Sequence, residues 1–503
     1  MSRTNTHTST EAMQRTARLI ESSGLELVRF AWCDTHGMLR GKTLTASAAV
    51  KALRSGVGMV STLMLKDTSD RTAFKVFEAG IADELPGFEF ASNLLLMPIQ
   101  DNFEGSFKVL PWAEKTGWVQ CQPVFQDGTP VPFDTRRQLQ QALAQLAERG
   151  WGMVCGLEVE FHIYRLKDPT HGLDLDPHTA AWPGPAPEVS LIHPGYNLLS
   201  EHLFDMSEEP LRIVQHTAQA LGLPLQSLEI ELGPSQVEAV FDATDALTAA
   251  DNMVLFRSAV RQALRRAGYH ATFMCRPPFE QIMSSGWHLH QSLVDMTTGR
   301  NLFMRDAAAP HTHANDAHHT LSDMGAQYLA GLLAHAQGMT VMCTPTANGF
   351  GRFRPNALAP QSILWGRDNR GAMLRVVGQA GDGATRIENR LGEPAANPYL
   401  YMASQIHAGL AGVQAGLTPP LATDSPYADA ADAADAAGQA EATRIPNTLG
   451  QALTALQQDT AMCQGFGQDF VRYYQRIKTA EQQRFDAAED KLEFQRREYF
   501  NRI

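Results

Sequence analysis

The stretch Cys155-Gly-Leu-Glu-Val-Glu-Phe-His-Ile-Tyr164 is mostly apolar, but two glutamates stand at alternate positions inside it. Because side chains two apart on a β-strand share a face, Glu158 and Glu160 are expected to point the same way. A pair of this kind on an exposed strand is usually only solvated. The strongly apolar surroundings here favour a strand whose two carboxylates face a cleft. The stretch therefore predicts a sheet with a polar site on one face.

Five further stretches carry metal-binding or phosphate-binding side chains, most of them at alternate positions. They are Glu231 with Gln236-Val-Glu238, His288-Leu-His290, Arg352-Phe-Arg354, Arg370 with Arg375, and Arg386-Ile-Glu388-Asn-Arg390. Each alone has an ordinary structural explanation, such as a core histidine pair, a basic surface turn or a cross-strand ladder of ion pairs. Together they predict a sheet or partial barrel whose concave face is neutralised by divalent cations and a polyphosphate. The sequence has no Walker-type loop, so metal and arginine are expected to hold the phosphates.

Composition limits the class of protein. At 503 residues and 44% hydrophobic composition, the chain is long enough to bury a large core, and two domains are expected. A net charge of −12 argues against a nucleic-acid partner. The six cysteines have no CxxC spacing and predict buried, reduced thiols. The sequence shows no signal peptide and no membrane-spanning run, so a soluble cytoplasmic protein without a membrane partner is expected.

Turn-forming residues and changes of composition divide the chain into segments. A helix capped by Thr10 is expected near the N-terminus, and Asp34-Thr-His-Gly37 predicts a hairpin turn with Gly at the left-handed position. The predicted segments are 1–20, a flexible leader (1–9) and first helix; 21–125, a small α+β unit; 130–503, long helices alternating with strands; and within it 425–442, a mobile Ala/Asp-rich insertion. Amphipathic helices are predicted at 135–149, 208–221, 247–267, 324–337 and 399–415.

As an ordered set, these motifs resemble the glutamine synthetase family over nearly the full length of the chain. The resemblance is carried by Gly156-Leu-Glu-Val-Glu-Phe161, Glu231-Leu-Gly-Pro-Ser-Gln-Val-Glu238, Ser285-Gly-Trp-His-Leu-His-Gln-Ser292, Asn369-Arg370 with Arg375, and Arg386-Ile-Glu-Asn-Arg390 followed by Pro394-Ala-Ala-Asn-Pro-Tyr399. It implies an α+β fold, with a small N-terminal β-grasp domain and a large catalytic domain built on a curved antiparallel sheet, a partial barrel flanked by helices. It also implies a homo-oligomer of hexameric rings, commonly stacked as a dodecamer, with active sites between neighbouring subunits.

The resemblance implies a role for each matching residue. Two or three Mg²⁺ or Mn²⁺ ions are implied, one site formed by Glu160, Glu231 and Glu238 and a second by Glu158, His288 and Glu388. His290, Ser292, Arg375 and Arg386 match residues that contact ATP, Arg352 and Arg390 match those that hold L-glutamate, and Arg370, Arg375 and Arg386 match those that face the transferred phosphate. The implied reaction is an ATP-dependent ligation. The γ-carboxylate of glutamate first forms γ-glutamyl phosphate, and an amine then displaces the phosphate.

This chain departs from the family pattern mainly at the positions that bind and deprotonate the amine. Glutamine synthetases bind ammonium with an Asp in an Asp-Gly-Ser-Ser-like loop, where this chain has Ser61 or Thr62. They also carry a Glu on a mobile flap, at the position that Leu358 occupies here. The Asn-Gly before the family's metal histidine is replaced by Met283-Ser284. Both carboxylates that would hold and deprotonate a cationic amine are therefore expected to be absent from these positions.

The missing acids favour an amine that arrives uncharged. Alkylamines and ammonium are cations at pH 7, whereas an arylamine is neutral and already nucleophilic. An apolar pocket suited to its ring is offered by Leu63, Met64, Phe353 or Leu358. The sequence thus predicts a γ-glutamylanilide-forming enzyme of aromatic amine catabolism. Three alternatives remain: a ligase for aliphatic amines or polyamines, which needs an acid such as Asp67 or Asp70; a glutamine synthetase using ammonia; and a non-catalytic relative, which the six intact metal ligands disfavour.

Overall fold

The computed structural model describes residues 3–168, 170, 177–307, 309, 313–354, 358–427 and 443–503. Its N-terminal part is built on a six-stranded sheet of β1 Leu27–Cys33, β2 Leu39–Thr45, β3 Val57–Val60, β4 Asn93–Pro98, β5 Phe107–Val109 and β6 Thr116–Val124. The strand order is β2-β1-β6-β4-β3, with β5 on β6, and the central β1–β6 pair is parallel while its neighbours are antiparallel. This arrangement agrees with the predicted β-grasp fold.

A nine-stranded sheet forms the larger part. Its strands are β7 Trp151–Leu166, β8 Val189–Leu191, β9 Leu225–Ile230, β10 Gln236–Asp245, β11 Tyr269–Thr272, β12 Trp287–Asp295, β13 Trp365–Arg367, β14 Leu374–Val377 and β15 Arg386–Gly392. The order is β13-β14-β15-β12-β7-β10-β9, with β8 and β11 also on β7. Every pair is antiparallel except β13–β14. The sheet is a nearly closed partial barrel, as predicted, and β7 carries the opening motif through its centre.

Helices surround both sheets. They are α1 Arg3–Ser22, α2 Ala46–Ser55, α3 Ile81–Glu84, α4 Phe103–Ser106, α5 Thr135–Ala147, α6 Glu201–Met206, α7 Glu208–Ala220, α8 Ala246–Arg266, α9 Asp323–Ala334, α10 Ala336–Cys343, α11 Pro398–Ala415, α12 Leu449–Gln458, α13 Thr460–Phe466, α14 Gln468–Ala487 and α15 Lys491–Gln495. Helices α5 and α8 pack on β7, and α11, buried over nearly its whole length, packs against α5, α9 and α10. Short 3₁₀ turns include Ser61–Leu65 and Gly349–Arg352.

The predicted elements agree with the structure except at particular ends. Helix α1 begins at Arg3 rather than near Thr10, so residues 3–9 of the predicted leader are helical. The predicted helix at 324–337 is divided into α9 and α10 at His335. Of the predicted insertion at 425–442, residues 428–442 lie outside the described part of the chain. All six cysteines are buried free thiols, as predicted. No helix within the described residues is both long enough and apolar enough to cross a membrane.

The β1–β2 hairpin connects the two parts of the molecule. Gly37 adopts φ +76°, and the Asp34 carboxylate accepts hydrogen bonds from the backbone of the turn. From the larger part, Arg257 on α8 donates to the carbonyl oxygen of Gly37 at 2.9 Å, and Asn397 before α11 donates to that of Asp34 at 3.0 Å. The predicted turn therefore forms, and it docks the small sheet on the helices behind the large one.

Candidate active site

Strand register brings the predicted polar residues together. Strands β10, β7, β12, β15 and β14 are neighbours in the sheet, and the alternating residues of each lie opposite those of the next. The opposing pairs are Glu238 with Glu160, Glu158 with His288, His290 with Glu388, and Glu388 with Arg375. Because opposing residues on adjacent strands share a face, these side chains form one continuous polar surface. We call this surface the floor of the site and define it as Glu158, Glu160, Glu238, His288, His290 and Glu388.

The first predicted metal group is compact. One ligand oxygen from each of Glu160, Glu231 and Glu238 lies within 4.8 Å of the others. Burial, together with the charge of Glu160, raises the pKa of Glu231 to about 7 and that of Glu238 to about 10. Three carboxylates held this close repel one another, and oxygen ligands are those that Mg²⁺ and Mn²⁺ prefer. The donor set therefore fits a divalent cation.

The second predicted metal group is less compact than the first, and it includes a histidine, His290, that was not predicted as a ligand. Glu158 lies between two imidazoles, with His290 Nε2 2.9 Å from its Oε1 and His288 Nδ1 3.4 Å from its Oε2. Glu388 Oε1 lies 3.7 Å from His288 Nδ1. Ligand atoms of Glu158, His290 and Glu388 lie within 4.8 Å of one another, as do those of Glu158, Glu238 and His288. His290, predicted to contact ATP, thus lies among the possible metal ligands.

The charge states of this second group suit a metal site. Burial acts to raise the pKa of Glu158, but the imidazoles of His288 and His290 outweigh it and hold the pKa below its ordinary value. Burial and the nearby Arg390 lower the pKa of His288. An ionised carboxylate beside a neutral imidazole offers lone pairs to a cation, which is the state that metal binding needs.

Guanidinium groups border the floor on its β15 side. The fully buried carboxylate of Glu388 contacts two of them, Arg390 Nη1 at 2.5 Å and Arg375 Nη1 at 3.0 Å. Arg386 Nε donates to His290 Nδ1 at 3.0 Å. Arg352 is buried and donates to the carbonyl oxygen of Arg390 at 2.9 Å, so it is fixed against β15. Three of the predicted arginines, Arg375, Arg386 and Arg390, therefore meet around one carboxylate and one imidazole of the floor.

Glu160 is oriented by neighbours that bind one of its oxygens. Gln236 Nε2 donates to Glu160 Oε2 at 2.8 Å, and the backbone N–H of Gly286 donates to the same atom at 2.9 Å. A Cβ at position 286 would lie 2.5 Å from Arg352 Nη2, so only glycine leaves room for this guanidinium. The motif preceding the histidines thus positions a carboxylate and an arginine together.

A cavity of about 710 Å³ opens above the floor. Its polar lining includes the whole first metal group, Glu158 and His288 of the second, and three predicted arginines, Arg352, Arg370 and Arg390. Three leucines lie at its exposed edge, Leu198, Leu199 and Leu358, which are 51%, 62% and 61% exposed; Gln226 and Arg370 also line the cavity and are exposed. We call these three leucines the rim. They lie on loops, and Leu199 and Leu358 adopt left-handed φ values of 55° and 52°.

A second, smaller cavity of about 210 Å³ lies beside the first and shares Glu158 with it. It is lined by three of the four residues predicted to contact ATP, His290, Ser292 and Arg386. Arg375 lies behind them, bonded to Glu388 and Asp368. Two adjoining cavities joined by one carboxylate can accept two substrates whose reacting groups meet at a metal.

Ser61 and Thr62, which take the place of the family's ammonium-binding Asp, lie away from the cavity of their own chain. Both lie in the 3₁₀ turn that follows β3, and neither lines the described cavity. Ser61 is fully buried, and Met64, predicted to face the amine, is buried as well. Phe353 packs edge-on against Phe350 at 6.2 Å. Within one chain, therefore, only Leu358 of the residues predicted to face the amine lines the cavity.

Sequence reasoning missed several lining residues. Glu229 on β9 lines the cavity, lies opposite Glu238 and accepts a hydrogen bond from Ser227 at 2.9 Å. The alternation Glu229-Ile-Glu231 was a signal that could have identified it, because it repeats the pattern of β7. Leu198 and Leu199 gave no signal, since a loop has no side-chain period.

These features define a class before any relative is considered. Buried carboxylates, histidines and arginines on the concave face of a partial barrel are typical of enzymes that transfer a phosphoryl group with divalent metals. The family profile of the glutamine synthetase catalytic domain matches residues 132–497, and the chain belongs to the glutamine synthetase family. This family uses ATP and divalent metal ions.

Individual relatives indicate which reaction within the family the chain catalyses. The chain is 35% identical to the γ-glutamylanilide synthase of Acinetobacter sp, over 98% of this chain and 96% of that protein. It is 27% identical to the γ-glutamylethanolamide synthetase of Streptomyces coelicolor, over 95% and 94%. The ligand-free structure of GmaS superposes with a TM-score of 0.73 at 26% identity, covering 95% of this chain and 97% of that one. The chain is an ATP-dependent ligase that joins glutamate to an amine.

Proposed function

We propose that the chain joins the γ-carboxylate of L-glutamate to an aromatic amine, as in the formation of γ-glutamylanilide from aniline. The observation that carries the proposal is Leu358, which lines the mouth of the cavity where the family has an acid. The identity to a γ-glutamylanilide synthase supports the same substrate class. The amine is therefore expected to be neutral and to bind through its ring.

The floor and the arginines would carry the first half of the reaction. Two groups of ligands, Glu160 with Glu231 and Glu238, and Glu158 with His288 and Glu388, would hold the Mg²⁺ or Mn²⁺ ions. Bound metal supplies positive charge to the phosphate oxygens of ATP as the phosphoryl group moves. His290, Ser292 and Arg386 would bind the nucleotide in the smaller cavity, which they line.

The arginines of the larger cavity would bind glutamate and face the phosphoryl group. Arg352 and Arg390 line that cavity on its β15 side and suit the carboxylates of glutamate, because a guanidinium can bind a carboxylate through two hydrogen bonds. A γ-carboxylate oxygen then attacks the γ-phosphorus, and the bond to ADP breaks. Arg370 from this cavity, together with Arg386 from the smaller cavity and Arg375 behind it, would stabilise the charge on the transferred group. The amine nitrogen finally attacks the carbonyl carbon of γ-glutamyl phosphate, the bond to phosphate breaks and phosphate leaves, and the nitrogen loses one proton to solvent.

Charge at the mouth of the cavity decides between kinds of amine. An alkylammonium ion, with an ordinary pKa of roughly 10, would have to lose its water beside three leucines. An unpaired charge in such surroundings costs on the order of several kcal/mol. An arylamine carries no charge, and its ring gains by contact with the rim. The rim of Leu198, Leu199 and Leu358 therefore favours the arylamine.

The two acids considered for a ligase of aliphatic amines or polyamines, Asp67 and Asp70, are both engaged in ion pairs. Asp67 is buried, and its Oδ2 lies 2.9 Å from Nε of Arg484. Asp70 Oδ1 lies 2.8 Å from Nη1 of Arg40. Each carboxylate thus has a guanidinium partner within its own chain, which weakens that alternative.

The test is an ADP-release screen with glutamate, MgATP and a panel of amines that runs from ammonium through ethylamine and putrescine to aniline. The expected result is glutamate-dependent ADP release that is largest with aniline, together with a γ-glutamylanilide product detected by mass spectrometry. ADP release with ammonium but not with aniline would disprove the arylamine assignment. It would leave the ligase chemistry intact.

A second candidate is an aliphatic amine, and one residue favours it. Glu229 lines the same cavity and is only half-buried, so its carboxylate is available to an ammonium group. The likeness to a γ-glutamylethanolamide synthetase points the same way. Replacing Glu229 with Gln should raise KM for ethylamine and leave KM for aniline unchanged if this candidate is right.

We also propose that the chain assembles into hexameric rings, stacked as a dodecamer, with active sites shared between neighbours. The position of Ser61 and Thr62 outside the cavity of their own chain supports this, because a neighbouring copy could bring them to it. Light scattering coupled to gel filtration measures the mass. Mixing an inactive Glu160→Ala chain with an inactive variant of the 61–65 turn should restore part of the activity.

A further inference from the structure

His162 is a buried histidine that lies directly behind the first metal group. It follows Glu160 by two positions on β7, and on the neighbouring strand it lies opposite Gln236. Its side chain is fully buried and lines neither cavity of the candidate active site. No step of the proposed reaction uses this imidazole, so its place beside a metal ligand needs a separate explanation.

Hydrogen bonds connect His162 to Glu160 through two other side chains. Nδ1 of His162 lies 3.3 Å from Oγ of Ser285. Gln236 Nε2 donates to Ser285 Oγ at 3.1 Å and to Glu160 Oε2 at 2.8 Å. We call His162, Ser285 and Gln236 the His162 network. All three side chains are at most 1% exposed, so water does not compete for these hydrogen bonds.

The donors and acceptors of the His162 network have a definite direction. Gln236 Oε1 accepts a hydrogen bond from the backbone N–H of Gly233 at 2.9 Å, so the amide nitrogen faces Glu160 and Ser285. Because Ser285 Oγ accepts from this nitrogen, its own proton is directed to His162 Nδ1. His162 therefore accepts through Nδ1 and carries its ring proton on Nε2.

The second ring nitrogen of His162 has no such partner. Nε2 is buried and forms no hydrogen bond within the described part of the chain. Buried polar groups are nearly always paired, and an unpaired one lowers stability. An apolar side chain in this place would avoid that cost, but it would lose the contact with Ser285. The histidine is thus unfavourable for stability, whereas its contact with Ser285 leads to Glu160.

The His162 network determines which oxygen of Glu160 is available. Oε2 accepts two hydrogen bonds, one from Gln236 Nε2 and one from the backbone N–H of Gly286. Among the described residues, no hydrogen bond reaches Oε1, which lies 3.7 Å from Nε2 of His288. An oxygen that already accepts two hydrogen bonds has little capacity left for a cation. Oε1 therefore remains as the oxygen that can bind one.

We propose that His162 is a positioning residue for the metal: through Ser285 and Gln236 it holds Glu160 so that this carboxylate binds the cation through Oε1 alone. The inference rests on the proposed metal role of Glu160. Without the imidazole, the Ser285 hydroxyl loses its acceptor and turns toward another, which loosens Gln236 and then Glu160. Loss of such a contact behind a metal ligand typically weakens metal binding by about 10- to 100-fold.

The test measures Mn²⁺ binding to the full chain without nucleotide, through the electron paramagnetic resonance signal of free Mn²⁺. In His162→Leu, the dissociation constant of at least one class of Mn²⁺ sites should rise about tenfold. His162→Asn, whose amide oxygen can take the place of Nδ1, should restore most of the affinity. His407→Leu is the matched control and should bind as the parent does, because His407 is also a buried histidine whose Nε2 lacks a partner in the described chain.

A double variant separates positioning from stability. His162→Leu alone leaves the Ser285 hydroxyl without its acceptor, whereas His162→Leu combined with Ser285→Ala removes both polar partners. The Tm of the metal-free double variant should therefore lie within about 2 °C of the parent value. Its Mn²⁺ binding should nevertheless stay about tenfold weaker. Ser285→Ala alone breaks the same connection and carries the test if His162→Leu does not fold.

Three outcomes would overturn the proposal, and they differ in what else they overturn. Mn²⁺ binding that is unchanged in His162→Leu but weakened in Glu160→Ala would remove the positioning role and leave the metal role of Glu160 in place. Binding that is unchanged in both variants would remove the metal role as well. Recovery of Mn²⁺ affinity together with Tm in the double variant would show that His162 acts only through stability.

Discussion

The floor and the rim of the active-site cavity are built from different parts of the fold. The floor consists of carboxylate and imidazole side chains on four neighbouring strands, β10, β7, β12 and β15, and its residues are held by one another through register and hydrogen bonds. The rim consists of Leu198, Leu199 and Leu358, which project from loops and are more than half exposed. Strands fix the position of a side chain far more tightly than loops do.

This difference suggests how the two halves of the reaction are separated. The chemistry of phosphoryl transfer tolerates little displacement of metals or arginines, so it belongs on rigid strands. The choice of amine depends on the shape and polarity of a pocket, which a loop can alter without moving the floor. We infer that relatives of this chain with different amines differ mainly at the rim.

The largest expected effect follows from damage to the floor. Glu160→Ala removes a carboxylate that Gln236 and Gly286 hold in place. Activity with aniline should fall by about 100- to 1000-fold, comparable to the loss of one main stabilising group in other enzymes. ADP release and Mn²⁺ binding are the measurements. Glu114→Ala, an exposed acid outside both cavities, should have neither effect. Full activity in the Glu160 variant would show that this carboxylate holds no metal.

A smaller effect is expected when a carboxylate is introduced into the rim. Leu358→Glu places a carboxylate at the mouth of the cavity, where it can pair with a cationic amine and repels nothing on an arylamine. The ratio of kcat/KM for ammonium to that for aniline should rise about tenfold or more, because one charged hydrogen bond contributes roughly 1.5–3 kcal/mol. Leu492→Glu, at a leucine of α15 with a similar exposure of 57%, is the control. An unchanged ratio would mean that residue 358 does not select the amine.

The floor could be predicted from sequence because its signal is a strand period. Glu158, Glu160, His288 and His290 alternate among apolar residues, and a period of two says which side chains share a face. Which strand lies beside which is set by long-range pairing, and only the resemblance to a known family supplied it. Neither the strand period nor the family resemblance pointed to the rim, since Leu198 and Leu199 follow no period and belong to none of the motifs that carry the resemblance.

Helix prediction failed where a tertiary contact intervenes. The apolar period continues across residues 324–337, yet the chain breaks the helix at His335. The His335 ring lies 3.0 Å from the carboxylate of Asp459, which also caps α13. That contact connects residues 124 positions apart, so no local pattern reports it. The helix propensity of residues 324–337 is therefore overridden at His335 by a tertiary contact, as often happens in folded proteins.

A moderate effect is expected from pH, because two carboxylates of the first metal group, Glu231 and Glu238, have pKa values that differ from those in the unfolded chain. The pKa of Glu231 is raised to about 7 and that of Glu238 to about 10, against an ordinary value near 4.5. Between the ordinary and the raised pKa, the folded protein binds more protons than the unfolded chain. Metal-free protein should therefore lose stability as the pH rises from about 5, through about 7 for Glu231 and on toward 10 for Glu238.

Divalent metal should remove that loss, since it binds the ionised carboxylates and displaces their protons. The gain in Tm on adding Mn²⁺ to EDTA-treated protein should grow from pH 6 to pH 8, by about 2 °C or more. Thermal unfolding with and without metal at each pH isolates this contribution from groups elsewhere in the chain. In the Glu238→Gln variant, the metal-induced gain in Tm should increase less between pH 6 and pH 8. A metal-induced gain that does not change with pH would mean that Glu231 and Glu238 are not metal ligands.

The smallest effect is expected from shortening one leucine of the rim. Leu199 is 62% exposed, so its truncation to Ala removes little buried surface and leaves the loop bonded through the Leu199 N–H to the carbonyl oxygen of Ile230 at 3.0 Å. KM for aniline should rise by about two- to fivefold, less than the tenfold to 200-fold assigned to a methylene in an enclosed pocket. The kcat value and the KM for glutamate should remain as in the parent, because the floor does not move. Leu421→Ala, at an exposed leucine that lines neither cavity, is the control. A fall in kcat for Leu199→Ala would contradict the separation of floor and rim, since it would mean that the loop positions the reacting groups.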